Sequence, residues 1–149
     1  MLNVMQTNSA ASTRAWTALL LLTAMASGRA MTLAFIGRAG GDGAGDPPAA
    51  WLMPLVGDGV VGVAAVGVAL ALWRRPGRRT WLAALVFHCL ALWDGLSAWL
   101  VHASVPWPEF FMIELFGWTM FPAAAGLHGA CLALLLTASV RQRTGSLTL

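Results

Sequence analysis

The chain has 149 residues, of which 58% are hydrophobic and only 10% are charged. Soluble domains carry charge on about a quarter of their residues, so this composition excludes a water-soluble globule. The nine basic residues are all arginines, and with six acidic residues the formal net charge is +3. They lie beside apolar runs, where basic residues set membrane orientation. We therefore expect an integral membrane protein that contacts the lipid bilayer and no nucleic acid.

Four apolar stretches are long enough to cross a bilayer, which takes about 20 helical residues. In chain order they cover residues 16–36, 51–73, 81–101 and 110–140. Strand-type alternation is absent from the sequence, and only helices or closed barrels satisfy backbone hydrogen bonds in lipid. The sequence therefore predicts an all-α fold, a four-helix transmembrane bundle that forms one membrane domain over residues 1–149.

The fourth stretch is too long for one straight span. From Pro108 to Val140 a helix would measure about 50 Å, against about 30 Å of hydrocarbon. Pro122 also removes one backbone hydrogen bond. We expect a kink near residues 117–122, or a separate outer segment near residues 110–116, and a cavity between the third and fourth stretches.

Arginines set the expected orientation. The turn at residues 74–80 carries four of them, and three more lie in the terminal segments, at Arg14, Arg141 and Arg143. With four spans all seven fall on one side, and basic loops stay in the cytoplasm. We expect a multi-pass protein of the cell inner (plasma) membrane with both termini cytoplasmic. The tryptophans at the predicted span ends are expected to form an interfacial belt: Trp16, Trp51, Trp73, Trp81, Trp99 and Trp107.

A signal peptide is an alternative interpretation of the first stretch. Arg14, the apolar residues 15–22 and the small residues around Ala24 and Ala26 follow the order typical of such segments. Cleavage after Ala26 would leave three spans. Because the apolar run resumes at residues 30–36, an uncleaved span is the preferred interpretation, and cleavage stays open.

Ionisable residues inside the spans are the main functional signal, since they are costly in lipid and usually face the bundle interior. Arg29, Asp58 and Asp94 each lie seven residues, about 10 Å, from the outer end of their stretch. Glu114 lies about 6 Å deep in the fourth stretch. The spacing predicts one outer-leaflet layer in which Arg29 contacts at least one carboxylate.

Two interpretations of this polar layer stay open: a structural ion-pair network, or a site for a ligand or a proton. Ser97 shares a helical face with Asp94, and Trp118 shares a stripe with Glu114. The candidate ligand-binding or ion-pair cluster is therefore Arg29, Asp58, Asp94, Ser97, Glu114 and Trp118. The sequence contains no credible arrangement of a nucleophile and a base, so it does not indicate an enzyme.

Two histidines and two cysteines lie at mid-span, and they raise the question of a cofactor. Such a set could bind zinc or copper, and two histidines could ligate haem. Adjacent His88 and Cys89 diverge by about 100° on a helix, so both cannot bind one ion. We expect no cofactor; His88, His128 and Cys131 are the candidates if a metal or haem is bound.

Several short motifs resemble a group of small four-span bacterial integral membrane proteins without an assigned activity. The motifs are PLVGD at residues 54–58, LWRR at 72–75, WLAALVFHCLALWD at 81–94 and the Pro122 to His128 segment. The group has a similar GD pair early in span two, a basic turn, an aspartate late in span three, and a proline and a histidine in span four. The resemblance covers about two thirds of the chain and implies the four-span layout.

Three functions remain open from the sequence. A ligand- or proton-binding bundle of the transport type would use the outer polar layer. An accessory subunit of a larger membrane complex, or a homo-oligomer, would use small-residue stripes and tryptophan-rich faces. A haem- or metal-binding redox protein would use His88 and His128. The first is preferred because intramembrane ionisable residues usually serve a function.

Overall fold

Four helical segments are long and apolar enough to cross a membrane in the computed structural model, which describes residues 2–146. Span one is Ser12–Ile36, span two is Ala49–Arg74, span three is Arg78–Ser104 and span four is Met112–Leu136. Residues 2–146 contain no strand. The protein is therefore an all-α, multi-pass membrane protein, and the predicted fold class is confirmed.

The spans are built from seven α-helices and three short 3-10 segments within the described residues. Span one contains most of α1 (Leu2–Met25), then a 3-10 segment (Ala26–Thr32) and α2 (Leu33–Ile36). A 3-10 turn (Ala49–Trp51) leads into α3 (Leu52–Arg74), and α4 (Arg78–Ser104) forms span three. Then come α5 (Phe111–Phe116), a 3-10 turn (Gly117–Thr119), α6 (Met120–Leu136) and α7 (Ala138–Arg143).

The predicted stretch 110–140 is divided into three helices, and glycine causes the first break. Gly117 has φ 59° and ψ −155°, a conformation essentially restricted to glycine, and α5 ends there. Pro122 does not break the helix, because it lies in the first turn of α6, where N–H groups have no helical acceptor. A second break follows at Thr137, whose ψ is 144°. The expected kink therefore lies at Gly117.

The 3-10 segment of span one packs directly on α3, because α3 presents glycine at the contact. A Cβ atom at Gly62 would overlap the backbone of Ala30, and one at Gly59 would overlap the Leu33 side chain. Small residues let helix backbones approach closely in membranes. This close approach holds Arg29, in the middle of the 3-10 segment, against span two.

Four of the eight tryptophans are buried inside the bundle, so the predicted interfacial belt is wrong for them: Trp16, Trp51, Trp81 and Trp107. The Trp81 Nε1–H donates to the Leu135 carbonyl at 2.8 Å, and the Trp51 Nε1–H donates to the Val105 carbonyl at 2.8 Å. Both carbonyls lie at helix C-termini, where intrahelical donors are lacking. These rings lie near span ends, as the sequence indicates, but they face the bundle.

Helix α7 returns to the beginning of span one. Val140 is fully buried in a cluster that includes Trp16 and Leu135, and the Arg143 guanidinium carbon lies 5.1 Å from the centroid of the Trp16 ring. The segment after span four and the start of span one therefore lie at the same end of the bundle. Leu72 at the end of span two and Trp81 at the start of span three belong to the same cluster. We call this the proximal end of the bundle, and the opposite end the distal end.

Candidate functional site

A partly buried ion-pair cluster joins spans one, two and three in the distal half of the bundle. The Arg29 Nε–H donates to Asp58 Oδ1 at 2.5 Å, and Arg29 Nη2 donates to Asp94 Oδ2 at 2.5 Å. Arg29 Nη2 also contacts Asp58 Oδ1. Because both carboxylates meet the same nitrogen atom, the three side chains form one unit. We call it the Arg29 cluster: Arg29, Asp58 and Asp94.

Every nitrogen of the Arg29 guanidinium is engaged within the protein. Nε and Nη2 face the two carboxylates, and Nη1 donates to the Ala91 carbonyl at 3.1 Å and to His128 Nε2 at 3.2 Å. A guanidinium has five N–H donors and no acceptor. Its donors are therefore committed to spans two, three and four.

A chain of hydrogen bonds continues from Arg29 toward the middle of the bundle. His128 Nδ1 lies 3.0 Å from His88 Nδ1, and His88 Nε2 lies 3.1 Å from the Thr23 hydroxyl oxygen. The Thr23 hydroxyl donates to the Leu19 carbonyl at 2.7 Å. His88, His128 and Thr23 are all buried, with 0–1% of their surface exposed. The chain therefore links all of spans one, three and four.

The donors of this chain assign the tautomers of both histidines. Arginine only donates, so His128 Nε2 accepts and, in a neutral ring, the proton resides on Nδ1. His128 Nδ1–H then donates to His88 Nδ1, which leaves the second proton on His88 Nε2 as the donor to Thr23. The Thr23 proton goes to Leu19. Both histidines are neutral, and every polar hydrogen from Arg29 to Leu19 has an acceptor.

A cavity of about 470 Å³ opens beside the Arg29 cluster. Residues of the 3-10 segment of span one and of α5 and α6 form most of its wall, and the side chains of Arg29, Asp58 and His128 lie at its polar end. Met25 and Phe116, which both line the cavity, are 66% and 55% exposed. We call it the lateral cavity, because lining residues of spans one and four reach the exposed surface of the bundle. Gly95 and Ala98 of span three also line it, so the cavity predicted between spans three and four extends to span one.

The predicted site residues separate into two groups. Arg29, Asp58 and Asp94 come together, and the expected contact between Arg29 and a carboxylate is present. Ser97 instead donates to the backbone carbonyl of Asp94 at 2.8 Å, which is a contact within α4. Glu114 is exposed and Trp118 is 65% exposed. The break at Gly117 turns the α5 segment, so the helical stripe predicted for span four does not extend to Glu114.

The rings of His88 and His128 do not fit a metal ion or a haem iron between them. All four ring nitrogens take part in the hydrogen bonds described above. Bis-histidine haem ligation places a macrocycle between the two rings, whereas their Nδ1 atoms are 3.0 Å apart. Cys131 is buried and Cys89 is exposed, and the described residues contain no group of three or more His, Cys, Asp or Glu that could hold a metal ion.

Sequence reasoning missed two contributors to the site. Thr23 lies six residues before Arg29, which is nearly two helical turns. Its hydroxyl at mid-span, at the level of two mid-span histidines, could have indicated a hydrogen-bond partner for them. Gly57 also lies at the site, because a Cβ there would overlap the Asp94 carboxylate. Its position beside Asp58 in a helix of small residues could have indicated a close helix contact there.

The four-span layout that the resemblance implies is present in the structure. Within it, the Arg29 cluster, the two histidines and Thr23 form one polar chain, and the lateral cavity reaches that chain at Arg29, Asp58 and His128. Such an arrangement can hold a proton, or the polar end of a ligand whose remainder is apolar. No protein-family model, curated protein or solved structure matches the chain.

Proposed function

We propose that this protein binds a lipid-soluble ligand in the lateral cavity, with the polar part of the ligand against the Arg29 cluster. The observation that carries the proposal is the cavity itself. At about 470 Å³ it falls within the size range of small-molecule sites, which are mostly apolar with a few placed polar groups. Its walls and its polar end match that description.

The exposure of two lining residues supports entry of the ligand from the bilayer. Met25 and Phe116, which line the cavity, belong to the exposed surface of the spans, which is covered by lipid tails in a membrane. A ligand that partitions into the bilayer would reach the cavity by lateral diffusion. A water-soluble ligand would meet these exposed apolar side chains, which disfavour polar solutes.

The packing around the cavity supports a preformed site. At the distal end, Trp51 and Phe121 are 3% and 4% exposed and belong to one buried cluster, and both line the cavity. At the proximal end, spans one and four are joined by an apolar cluster that contains Leu19, Leu135 and Cys131. The bundle is thus closed below the cavity, and binding requires no large rearrangement.

Binding by the purified protein tests this proposal. Equilibrium dialysis in dodecyl maltoside micelles would measure three labelled probes: neutral triphenylphosphine oxide, tetraphenylphosphonium and tetraphenylborate. We expect at least one probe to bind saturably with one site per chain. The Ala124→Phe variant fills the cavity wall and should weaken that binding tenfold or more.

Ala133→Phe is the matched control, because Ala133 lies on the exposed face of the same helix and should leave binding unchanged. Saturable binding that Ala124→Phe does not alter would place the ligand elsewhere. Failure of all three probes to bind saturably would refute the proposal.

The membrane and the orientation are part of the same proposal. We infer that the protein lies in a bacterial inner membrane with the proximal end, which carries the arginine-rich turn at residues 74–80, in the cytoplasm. The cavity then faces the outer leaflet. A reporter enzyme fused after residue 149 is expected to be active only in the cytoplasm, and activity on the other side would contradict this orientation.

A further inference from the structure

The Arg29 cluster carries one more negative charge than positive charge when both carboxyl groups are ionised. Arg29 contributes one cation, and Asp58 and Asp94 contribute two anions. His128, the titratable side chain that meets the cluster from span four, is neutral because it accepts from Arg29. A surplus charge in a low-dielectric site is costly unless a proton or another cation balances it.

The hydrogen bonds of Arg29 decide the sign of the ligand that the cluster favours. An anionic ligand would need free donors on the guanidinium, and all of its nitrogens already contact protein acceptors. A carboxylate is available instead, since Asp58 lines the cavity. The polar end of the cavity therefore presents surplus negative charge and no uncommitted positive group.

We propose that the ligand is a lipophilic cation, which binds in the lateral cavity beside Asp58 and replaces a proton shared by Asp58 and Asp94. This inference rests on the proposed function and adds the ligand class. Charge balances in the exchange: one cation enters the site and one proton leaves the carboxyl pair. The ligand body occupies the apolar part of the cavity.

The walls of the cavity suit an organic cation rather than a small hydrated ion. Trp51, Phe110, Phe116 and Phe121 supply aromatic rings, and cations are attracted to aromatic faces, most strongly when desolvated. Methionines, which adapt to ligands of varied shape, line the same cavity: Met25, Met31, Met112 and Met120. A metal ion would find too few oxygen ligands among these side chains.

Four side chains control the proton in this exchange. Arg29 faces the carboxyl pair from span one, Asp58 belongs to span two and Asp94 to span three, and His128 approaches Arg29 from span four. Glu114, the acidic residue of α5, is exposed and is not part of the pair. Because the proton and the cation compete, acid should weaken cation binding and leave binding of a neutral probe unchanged.

The three probes of the dialysis experiment also test the charge preference. Tetraphenylphosphonium and tetraphenylborate have nearly the same shape and opposite charge, so their ratio reports the charge of the site. We expect the phosphonium to bind at least tenfold more tightly than the borate. Its dissociation constant should rise up to about tenfold per pH unit on acidification, and its binding should release up to one proton into a weakly buffered solution.

Variants of the two aspartates separate a contact from a charge effect. Asp58→Asn and Asp94→Asn each leave one carboxylate to balance Arg29, so each should abolish the phosphonium preference and the proton release. Asp94→Asn is the more informative of the two because Asp58 lines the cavity, whereas Asp94 is not among its lining residues. Glu114→Gln removes an exposed carboxylate as a control and should change neither readout.

The possible outcomes distinguish this inference from the proposed function. If the neutral probe or the borate binds as tightly as the phosphonium, the cation inference is wrong while the cavity remains a ligand site. If the phosphonium preference survives Asp94→Asn unchanged, surplus charge is not its cause and the inference is overturned. If no probe binds saturably, both the proposed function and the inference fail.

Discussion

Replacing Gly62 by alanine tests whether the close packing of span one on span two holds the Arg29 cluster together. An added Cβ would overlap the backbone nitrogen of Ala30 and lie 2.7 Å from its Cα atom, whereas ordinary contacts of this kind measure 3.4–4 Å. Backbone atoms cannot rotate away, so the two spans must separate by more than half an ångström. The 2.5 Å hydrogen bond from Arg29 to Asp58 would lengthen with them.

The expected loss of stability follows from these two effects. Overpacking costs about 1–3 kcal/mol, and a partly broken buried ion pair adds to it, since full removal of one partner costs about 3–5 kcal/mol. We expect Gly62→Ala to lower the free energy of unfolding by about 3 kcal/mol. The measurement is reversible unfolding by dodecyl sulfate in mixed micelles, followed by circular dichroism.

Gly67→Ala provides the matched control in the same helix. A Cβ atom at Gly67 meets nothing within 4 Å, and alanine is a better helix former than glycine by about 0.8–1 kcal/mol. This variant should be as stable as the parent or more so. Equal unfolding free energies for the Gly62 and Gly67 variants would refute the reasoning that glycine is needed for the contact with Ala30.

Three further predictions concern other parts of the bundle. Trp81→Phe removes a buried hydrogen-bond donor and should lower the free energy of unfolding by about 1–3 kcal/mol. Trp73→Phe, at a residue that is 66% exposed, should change it by under about 0.5 kcal/mol. Equal effects of the two substitutions would contradict the buried hydrogen bond. Thr23→Val leaves a histidine N–H without an acceptor and should lower the free energy of unfolding by about 1–3 kcal/mol. Thr23→Ser keeps the hydroxyl and should retain most of that stability. A Thr23→Val variant as stable as Thr23→Ser would argue against the assigned tautomers. Gly117→Ala forces alanine into a conformation reserved for glycine and should lower the free energy of unfolding by about 1–3 kcal/mol in the same assay. Gly129→Ala, whose Cβ would meet open space, should be as stable as the parent. A stable Gly117→Ala variant would show that the helix break does not require glycine.

The common layer of Arg29, Asp58 and Asp94 could be predicted from the sequence because the position of a residue along a span depends on one helix at a time. Hydropathy places the ends of the spans, and a fixed rise per residue then places Arg29, Asp58 and Asp94 in one layer. Their mutual contact follows, since exposure of each charged side chain to lipid is costly in free energy.

The direction of each side chain around its helix could not be predicted in the same way. The direction of a side chain depends on which neighbouring helices pack against its own helix and on which side. Trp51 and Trp81 face the bundle rather than the lipid interface. The cavity lies beside span one because Gly117 turns α5 and because glycines of α3 draw the 3-10 segment close. These effects involve pairs of elements, which periodicity within one element does not reveal.

The ion pairs of Arg29 have a consequence for the synthesis of the protein. When span one leaves the ribosome and enters the bilayer, neither Asp58 nor Asp94 has yet been inserted. An unpaired arginine raises the free energy of insertion by up to about 2.5–3.5 kcal/mol, the cost at the centre of a span. Span one should therefore be retained poorly in a truncated nascent chain, and it should become firmly seated only after span three has been delivered.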